Sequence, residues 1–276
     1  MLDAAIRRFA VMARPFLRSN VYTVRGGLAN GLKRRGGLGF LPKPLTVEER
    51  FLASLDLSGQ VVYDIGAYEG IFTLFFARAV GARGKVLVWE PNPVNVRSVE
   101  ENVRLNGFAN VRIFQTGIAD TAGSIVLIFP KGEPARGSME PAISGQVGEE
   151  PDAVSITVPI DSLDRQMETL RLPAPALIKI DIEGMEMAAL YGMEAILKKH
   201  SPALYIEIHG ADFPRKEANI AAVVEFLAKR GYSIRHVESG QNIASGNASV
   251  AREGHIYCVA CDSSLAPSDR GFPQPS

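Results

Sequence analysis

The sequence predicts an α/β fold: a doubly wound, mostly parallel sheet, closed by a C-terminal antiparallel hairpin and preceded by a basic N-terminal helical extension. Three observations lead there. From residue 46 onward, apolar runs of strand length alternate with helical patterns, the signature of a parallel sheet covered on both faces. The run Val61-Val62-Tyr63-Asp64-Ile65 ends in the glycine turn Gly66-Ala67-Tyr68-Glu69-Gly70. One helix later, Lys85-Val86-Leu87-Val88-Trp89 repeats the strand and ends in Glu90.

Each element has a local reason. Thr46 with Glu49 three residues on makes a capping box that opens a helix through Leu55. Residues 71–80 are apolar almost all round, as a helix buried against a sheet requires. Asn92 caps the next helix with Pro93 at its first position, Val96, Val99 and Val103 share one face, and Gly107 ends it. Residues 110–116 alternate as a third strand, and 124–129 and 155–160 read as two more, whereas 131–152 is rich in Gly, Pro, Ser and Glu without periodicity. A long loop beside a ligand crevice is a candidate substrate wall, which singles out Arg136, Ser138 and Met139. The pattern resumes with a strand at 176–180, one helix marked by Ala189, Met193, Ile196 and Leu197, and a strand at 203–209. A helix with Ile220, Val223, Val224 and Leu227 on one face follows and stops at Gly231. Runs 232–237 and 254–261 form the closing hairpin.

Three segments result: a basic arm (1–45), the α/β domain (46–262) and a disordered tail (263–276). The arm carries an amphipathic helix (Ile6, Phe9, Ala10, Ala13) and a glycine-rich connector at 26–39, so it suits packing on the domain, a docking role or a peripheral membrane contact. With 276 residues, 46% hydrophobic content, and 30 basic against 30 acidic side chains, the chain has no global charge to attract nucleic acid. Cys258 and Cys261 lie on one strand three apart, facing opposite sides, so no shared metal or disulfide is expected and a reducing, cytoplasmic setting is the default.

The glycine turn and Glu90 together describe a nucleotide-like cofactor site. At the carboxyl edge of a parallel sheet, glycines let backbone approach a ligand, and an acid on the next strand accepts ribose hydroxyls. A dinucleotide fingerprint wants a third, middle glycine against the pyrophosphate. Here Tyr68 and Glu69 occupy the turn, which suits a ligand with an amino acid end and a ribose, as S-adenosylmethionine has, and disfavours a nicotinamide dehydrogenase. Asp64, Gly66, Ala67, Tyr68 and Gly70 are the candidates for the methionine end, Glu90 for the ribose, and Ile118 and Asp120 for the adenine.

The second constellation is Lys179-Ile180-Asp181-Ile182-Glu183-Gly184-Met185-Glu186. Alternation puts Lys179, Asp181 and Glu183 on one side as the strand leaves the sheet, where close carboxylates and an ammonium tune one another for proton transfer. The third is Glu207-Ile208-His209, with Glu207 and His209 on one face. Asp181, Glu183 or His209 is the candidate base for a hydroxyl acceptor. These side chains have the types that hold a divalent ion, although none is assigned.

Taken in order, 62–70, Glu90-Pro91, Ile160-Asp161-Ser162-Leu163-Asp164, 178–186 and 206–209 resemble the FkbM-type methyltransferases. The resemblance covers about 61–209 and extends more loosely to 261. It implies a class I methyltransferase sheet, Rossmann-like, using S-adenosylmethionine for O-methylation of a sugar, glycan, lipid-linked saccharide or polyketide-type metabolite. Asp64, Gly66 and Gly70 would line the methionine end, Glu90 would bind the ribose, residues around Ile118 to Asp120 the adenine, and Asp181 would face the methyl group. Tyr68 stands where many relatives carry asparagine. A cofactor-binding scaffold without catalysis is the non-enzyme alternative.

Overall fold

The structure, a computed structural model, describes residues 20–37, 39–131, 137–260, 263 and 265. The amphipathic helix of the arm, Arg136, Cys261 and nearly all of the tail therefore lie outside the described residues.

Val21–Thr23 (β1) and Lys33–Arg35 (β2) form a small antiparallel ribbon, so part of the expected glycine-rich connector is strand. The ribbon is docked. The side chains of Asn106 and Asn102 accept the backbone N–H groups of Lys33 and Arg35, both at 2.8 Å. Arg35 also pairs with Glu101 at 2.8 Å, and Leu28 is buried in the same core cluster as Phe76. The described part of 20–45 thus packs on the body of the domain.

The domain proper begins with Val47–Ser54 (α1), opened by the Thr46/Glu49 capping box. Val61–Ile65 (β3), Ile71–Val80 (α2), Lys85–Trp89 (β4), Pro93–Leu105 (α3) and Val111–Phe114 (β5) alternate as the periodicity requires. Gly117–Ile118 (β6), Gly123–Pro130 (β7), Pro141–Gly148 (α4) and Ala153–Asp161 (β8) follow. β6, β8 and β7 make a separate three-stranded sheet, in which β7 and β8 pair antiparallel along their whole length. The helix α4 replaces part of the expected aperiodic loop: Glu140 caps it by accepting Ile143 N–H at 2.7 Å, Pro141 occupies its first turn, and Ser144 and Val147 are buried.

Leu163–Thr169 (α5), Leu177–Ile180 (β9), Glu186–Tyr191 (α6), Glu194–His200 (α7), Ala203–Glu207 (β10) and Phe213–Ala228 (α8) come next. The expected single helix over 189–197 is two. The chain breaks at Gly192, where an added Cβ would stand 2.0 Å from the Ala119 carbonyl oxygen, so close backbone approach and not helical periodicity governs that point. Tyr232–His236 (β11), Asn242–Ile243 (β12), a 3-10 segment at Ser245–Arg252 and His255–Ala260 (β13) complete the described chain. β11 and β13 pair antiparallel, with β12 and the 3-10 segment lying between them in sequence.

The main sheet has the order β12-β11-β13-β10-β9-β3-β4-β5. β10, β9, β3, β4 and β5 run parallel, and β13 enters antiparallel between β10 and β11. Connections run outward in opposite directions from the β3/β9 pair, which makes that pair the switch point where a crevice opens at the carboxyl ends. Apolar side chains of alternating parity fill the two faces: Tyr63, Ile65, Trp89 and Ile180 join one cluster, and Val62, Val86, Val88 and Leu177 the other. Among the described residues no helix is long and apolar enough to cross a membrane.

Candidate functional site

Register sets the site. Ile65 pairs with Trp89 on one side and Ile180 on the other, and Ile180 pairs with Ile206. One residue further along these four strands stand Gly66, Glu90, Asp181 and Glu207, in a row at the carboxyl edge of the sheet. All four border one cavity, which Trp89 and Ile118 also line.

At the turn, Gly66 has φ 80° and an added Cβ would lie 1.8 Å from the Asp181 carbonyl oxygen, so only glycine lets these strand ends meet. Ala67 is buried in the core with Leu74 and Val99. Tyr68 takes φ 51°, and its backbone N–H donates to Glu90 Oε2 at 2.9 Å. Gly70 has φ 83° and precedes α2, and an added Cβ there would stand 3.2 Å from the Val99 Cγ atoms.

Glu90 is held from three sides. Asn92 N–H (2.9 Å) and Asn95 Nδ2 (3.2 Å) donate to Oε1, and Tyr68 donates to Oε2. Asn92 is fixed because its own side chain caps α3 through Val94 N–H at 3.0 Å. Burial pushes the Glu90 carboxyl up to about 7, against the lowering effect of these donors.

Asp64 is elsewhere. It faces α2, fully buried, where Thr73 Oγ1 donates to Oδ2 at 2.6 Å and Lys179 Nζ lies 3.4 Å from Oδ1. It does not line the cavity. Its part is to hold Lys179, whose ammonium also donates to the Gly66 carbonyl at 2.9 Å and approaches Asp181 Oδ2 at 3.3 Å. Burial alone would lower the Lys179 pKa, but Asp181 and Asp64 override it and raise it, so the side chain is a fixed cation and no proton acceptor. Asp120 is exposed and stands away from the cavity, beside Thr121, whereas Ile118 is on the wall.

β9 ends at Ile180, and Glu183 and Gly184 then turn with φ 50° and 98°. Asp181 and Glu183 therefore come together through a turn and not through strand alternation. Ser138 Oγ pins this turn by donating to the Glu183 carbonyl at 2.7 Å, and Met139 lines the cavity. Burial raises the Glu183 carboxyl above its ordinary range, with neighbouring carboxylates adding and His209 opposing.

His209 Nε2 lies 3.6 Å from Glu207 Oε1, 3.9 Å from Asp181 Oδ1 and 3.9 Å from Glu183 Oε1. Its Nδ1 bonds to Glu186 Oε1 at 2.9 Å. Burial would lower its pKa, but contacts to Glu186 and Glu207 override that and push it up to about 11, so without another cation the ring is charged. Glu207 in turn reaches His255 Nε2 with Oε2 at 3.5 Å; the two imidazoles hold its carboxyl well below the usual range despite burial.

Sequence reasoning gave no role to Glu186 or Asn219. Glu186 is fully buried, accepts Gly184 N–H at 3.1 Å and takes Asn219 Nδ2 on Oε2 at 2.8 Å; Asn219 also donates to the His209 carbonyl at 2.9 Å. The only signal for it was the second acid of Glu183-Gly184-Met185-Glu186.

Residues 64–234 match the Methyltransferase FkbM domain, more than half of the chain, including the carboxyl ends of the strands that meet at the cavity. The chain belongs to the FkbM methyltransferase family. Among relatives of this FkbM-family chain, the methyltransferase sdnD of Sordaria araneosa is 26% identical over 163 residues, 50% of this chain and 61% of that protein. The hexuronic acid methyltransferase AglP of Haloferax volcanii is 27% identical over 156 residues, 56% of this chain and 58% of that one. The chain thus spans about three-fifths of the curated relatives it matches. Among solved structures, an FkbM methyltransferase from Methylobacillus flagellatus KT aligns with TM-score 0.47 at 18% identity, over 74% of this chain and 44% of that one. An O-methyltransferase from Bacillus cereus in complex with SAH aligns with TM-score 0.47 at 14% identity, over 78% and 80%.

Proposed function

We propose that this FkbM-family chain is an S-adenosylmethionine-dependent O-methyltransferase acting on a hydroxyl of a sugar, glycan, lipid-linked saccharide or polyketide-type metabolite. The row Glu90, Gly66, Asp181, Glu207 along one sheet edge carries the reading. Glu90 Oε2 has one donor and acceptor capacity to spare, which a ribose hydroxyl would use. The turn at Gly66 brings bare backbone to the methionine end, and Ile118 offers an apolar wall to the adenine.

The acceptor would enter beside Asp181, Glu183 and His209. The bound cofactor would supply an activated methyl group, whose transfer would form a C–O bond to the acceptor as the C–S bond broke with its electron pair left on sulfur. The sulfonium needs no acid to leave, so what remains is alignment of donor and acceptor and removal of one proton to a carboxylate of the cluster. That a relative is named for hexuronic acid supports the saccharide arm of the acceptor class.

The test pairs calorimetric titration of S-adenosylhomocysteine with transfer of labelled methyl groups from S-adenosylmethionine into glycan, lipid and small-molecule fractions. Binding with label in a hydroxylated acceptor is expected. Binding without transfer to any fraction would favour the scaffold alternative, and binding of a nicotinamide cofactor in place of S-adenosylhomocysteine would favour a dehydrogenase. Asp181→Asn, Glu183→Gln and His209→Ala, each measured for turnover and for cofactor affinity, locate the base; unchanged turnover in all three would remove the proton-transfer assignment.

A further inference from the structure

Asp181, Glu207 and His209 each offer one ligand atom, and these three atoms lie within 4.8 Å of one another. The two carboxylates do so in the same way. Asp181 gives Oδ2 to Lys179 at 3.3 Å and turns Oδ1 to His209, while Glu207 gives Oε2 to His255 at 3.5 Å and turns Oε1 to His209. The separations from Nε2, 3.9 and 3.6 Å, are too long for hydrogen bonds. They suit donors spread round a shared ion: at metal–ligand distances of about 2.1 Å, adjacent donors stand about 3.0 to 3.4 Å apart and opposed ones about 4.2 Å.

A second observation comes from outside the three. His209 is anchored by Nδ1 to Glu186, itself fully buried and fixed by Gly184 N–H and by Asn219 from α8. A carboxylate behind one imidazole nitrogen is the arrangement that orients the other nitrogen toward a metal. The three residues also line the cavity that holds Gly66 and Glu90.

We propose that Asp181, Glu207 and His209 form a binding site for a divalent transition-metal ion of the Mn2+ type at the acceptor end of this cavity. The imidazole nitrogen favours such an ion over Mg2+ or Ca2+, which prefer oxygen throughout. Its catalytic meaning rests on the methyltransferase reading: a cation there would orient the acceptor hydroxyl and ease loss of its proton, leaving Glu183 beside it to receive that proton.

The experiment is titration of chelator-treated protein with MnCl2, following free Mn2+ by electron paramagnetic resonance, with S-adenosylhomocysteine titrated in parallel by calorimetry. One Mn2+ per chain is expected. Asp181→Asn and Glu207→Gln should each weaken it at least about tenfold, and Glu186→Gln about 10- to 100-fold while S-adenosylhomocysteine affinity stays within about threefold. Glu207, with a side chain 39% exposed, carries the test should Asp181→Asn fail to fold. Binding of S-adenosylhomocysteine with no uptake of Mn2+, Co2+ or Zn2+, or metal affinity equal in all variants, would overturn the site and leave the methyltransferase reading standing. Metal uptake without S-adenosylhomocysteine binding would support the site and overturn the methyltransferase reading instead.

Discussion

Asp64 and Glu90 enter the sheet by the same device, an apolar run followed by an acid, on adjacent parallel strands. Their surroundings diverge because Glu90 stands two rows further along the sheet than Asp64, past the end of its strand. Asp64 lies within β3, opposite Val88 and Lys179, and points at α2; Glu90 lies just past β4, level with Gly66, and borders the cavity. One has an ammonium and a hydroxyl for partners, the other two backbone N–H groups and an amide. The comparison teaches that a strand-end acid reaches the cavity only where the strand has already ended. An acid two steps earlier is absorbed into the core and works through whatever it holds, here Lys179 and, through it, Gly66 and Asp181.

The largest effect should come from the buried member. Asp64→Asn removes one of the carboxylates that offset a fully buried ammonium, at a cost of about 3 kcal/mol. Urea unfolding should show that loss, while the folded fraction binds S-adenosylhomocysteine within about threefold of the parent. A tenfold fall in affinity at unchanged stability would place Asp64 in the binding site and erase the contrast.

Glu90→Gln should do the reverse. An ionised acceptor of ligand hydrogen bonds contributes about 1.5 to 3 kcal/mol, so S-adenosylhomocysteine should bind about 10- to 100-fold more weakly. The charge also predicts a pH profile. Glu90 titrates at about 7 when folded against an ordinary 4.5, so between those values the folded state holds a proton the unfolded chain has lost, and this group's contribution to stability falls as pH rises. Cofactor affinity moves oppositely, because only the ionised carboxylate accepts a hydroxyl fully. Titrations at pH 6 and 8 should differ by up to about tenfold in favour of pH 8, and the difference should vanish in Glu90→Gln.

Where the sequence was readable, the cause was local. Thr46 with Glu49 and Asn92 with Pro93 satisfy helix ends from within a few residues, and the alternation of 61–65 and 85–89 fixes both faces of their strands. Gly66 and Glu90 were legible as residues of the sheet edge that borders the cavity because turn chemistry and strand ends are local too. The unread features depend on parts of the chain far apart. The burial of Asp64 needs Thr73 above it and Lys179 beside it. Glu186 becomes the anchor of His209 only when Asn219 arrives from α8. The helix α4 carries Gly145 and Gly148, reads as loop, and is held by Glu140 and by packing on β7 and β8.

The smallest effect tests the wall that the separate β6-β8-β7 sheet gives the cavity. Asp120 follows Ile118 by two residues, and the simple reading of the strand end gave both to the adenine. Ile118 is buried in the cavity wall, whereas Asp120 is exposed beyond it, with Thr121 at 3.5 Å as its side-chain contact. By the logic that separates Asp64 from Glu90, distance past the strand also removes an acid from the site, this time into solvent. Asp120→Ala should therefore change stability by no more than about 0.5 kcal/mol and S-adenosylhomocysteine affinity by no more than about twofold. An affinity loss beyond tenfold would mean that this turn folds onto the adenine when the ligand binds, and that the site extends past the cavity wall at Ile118.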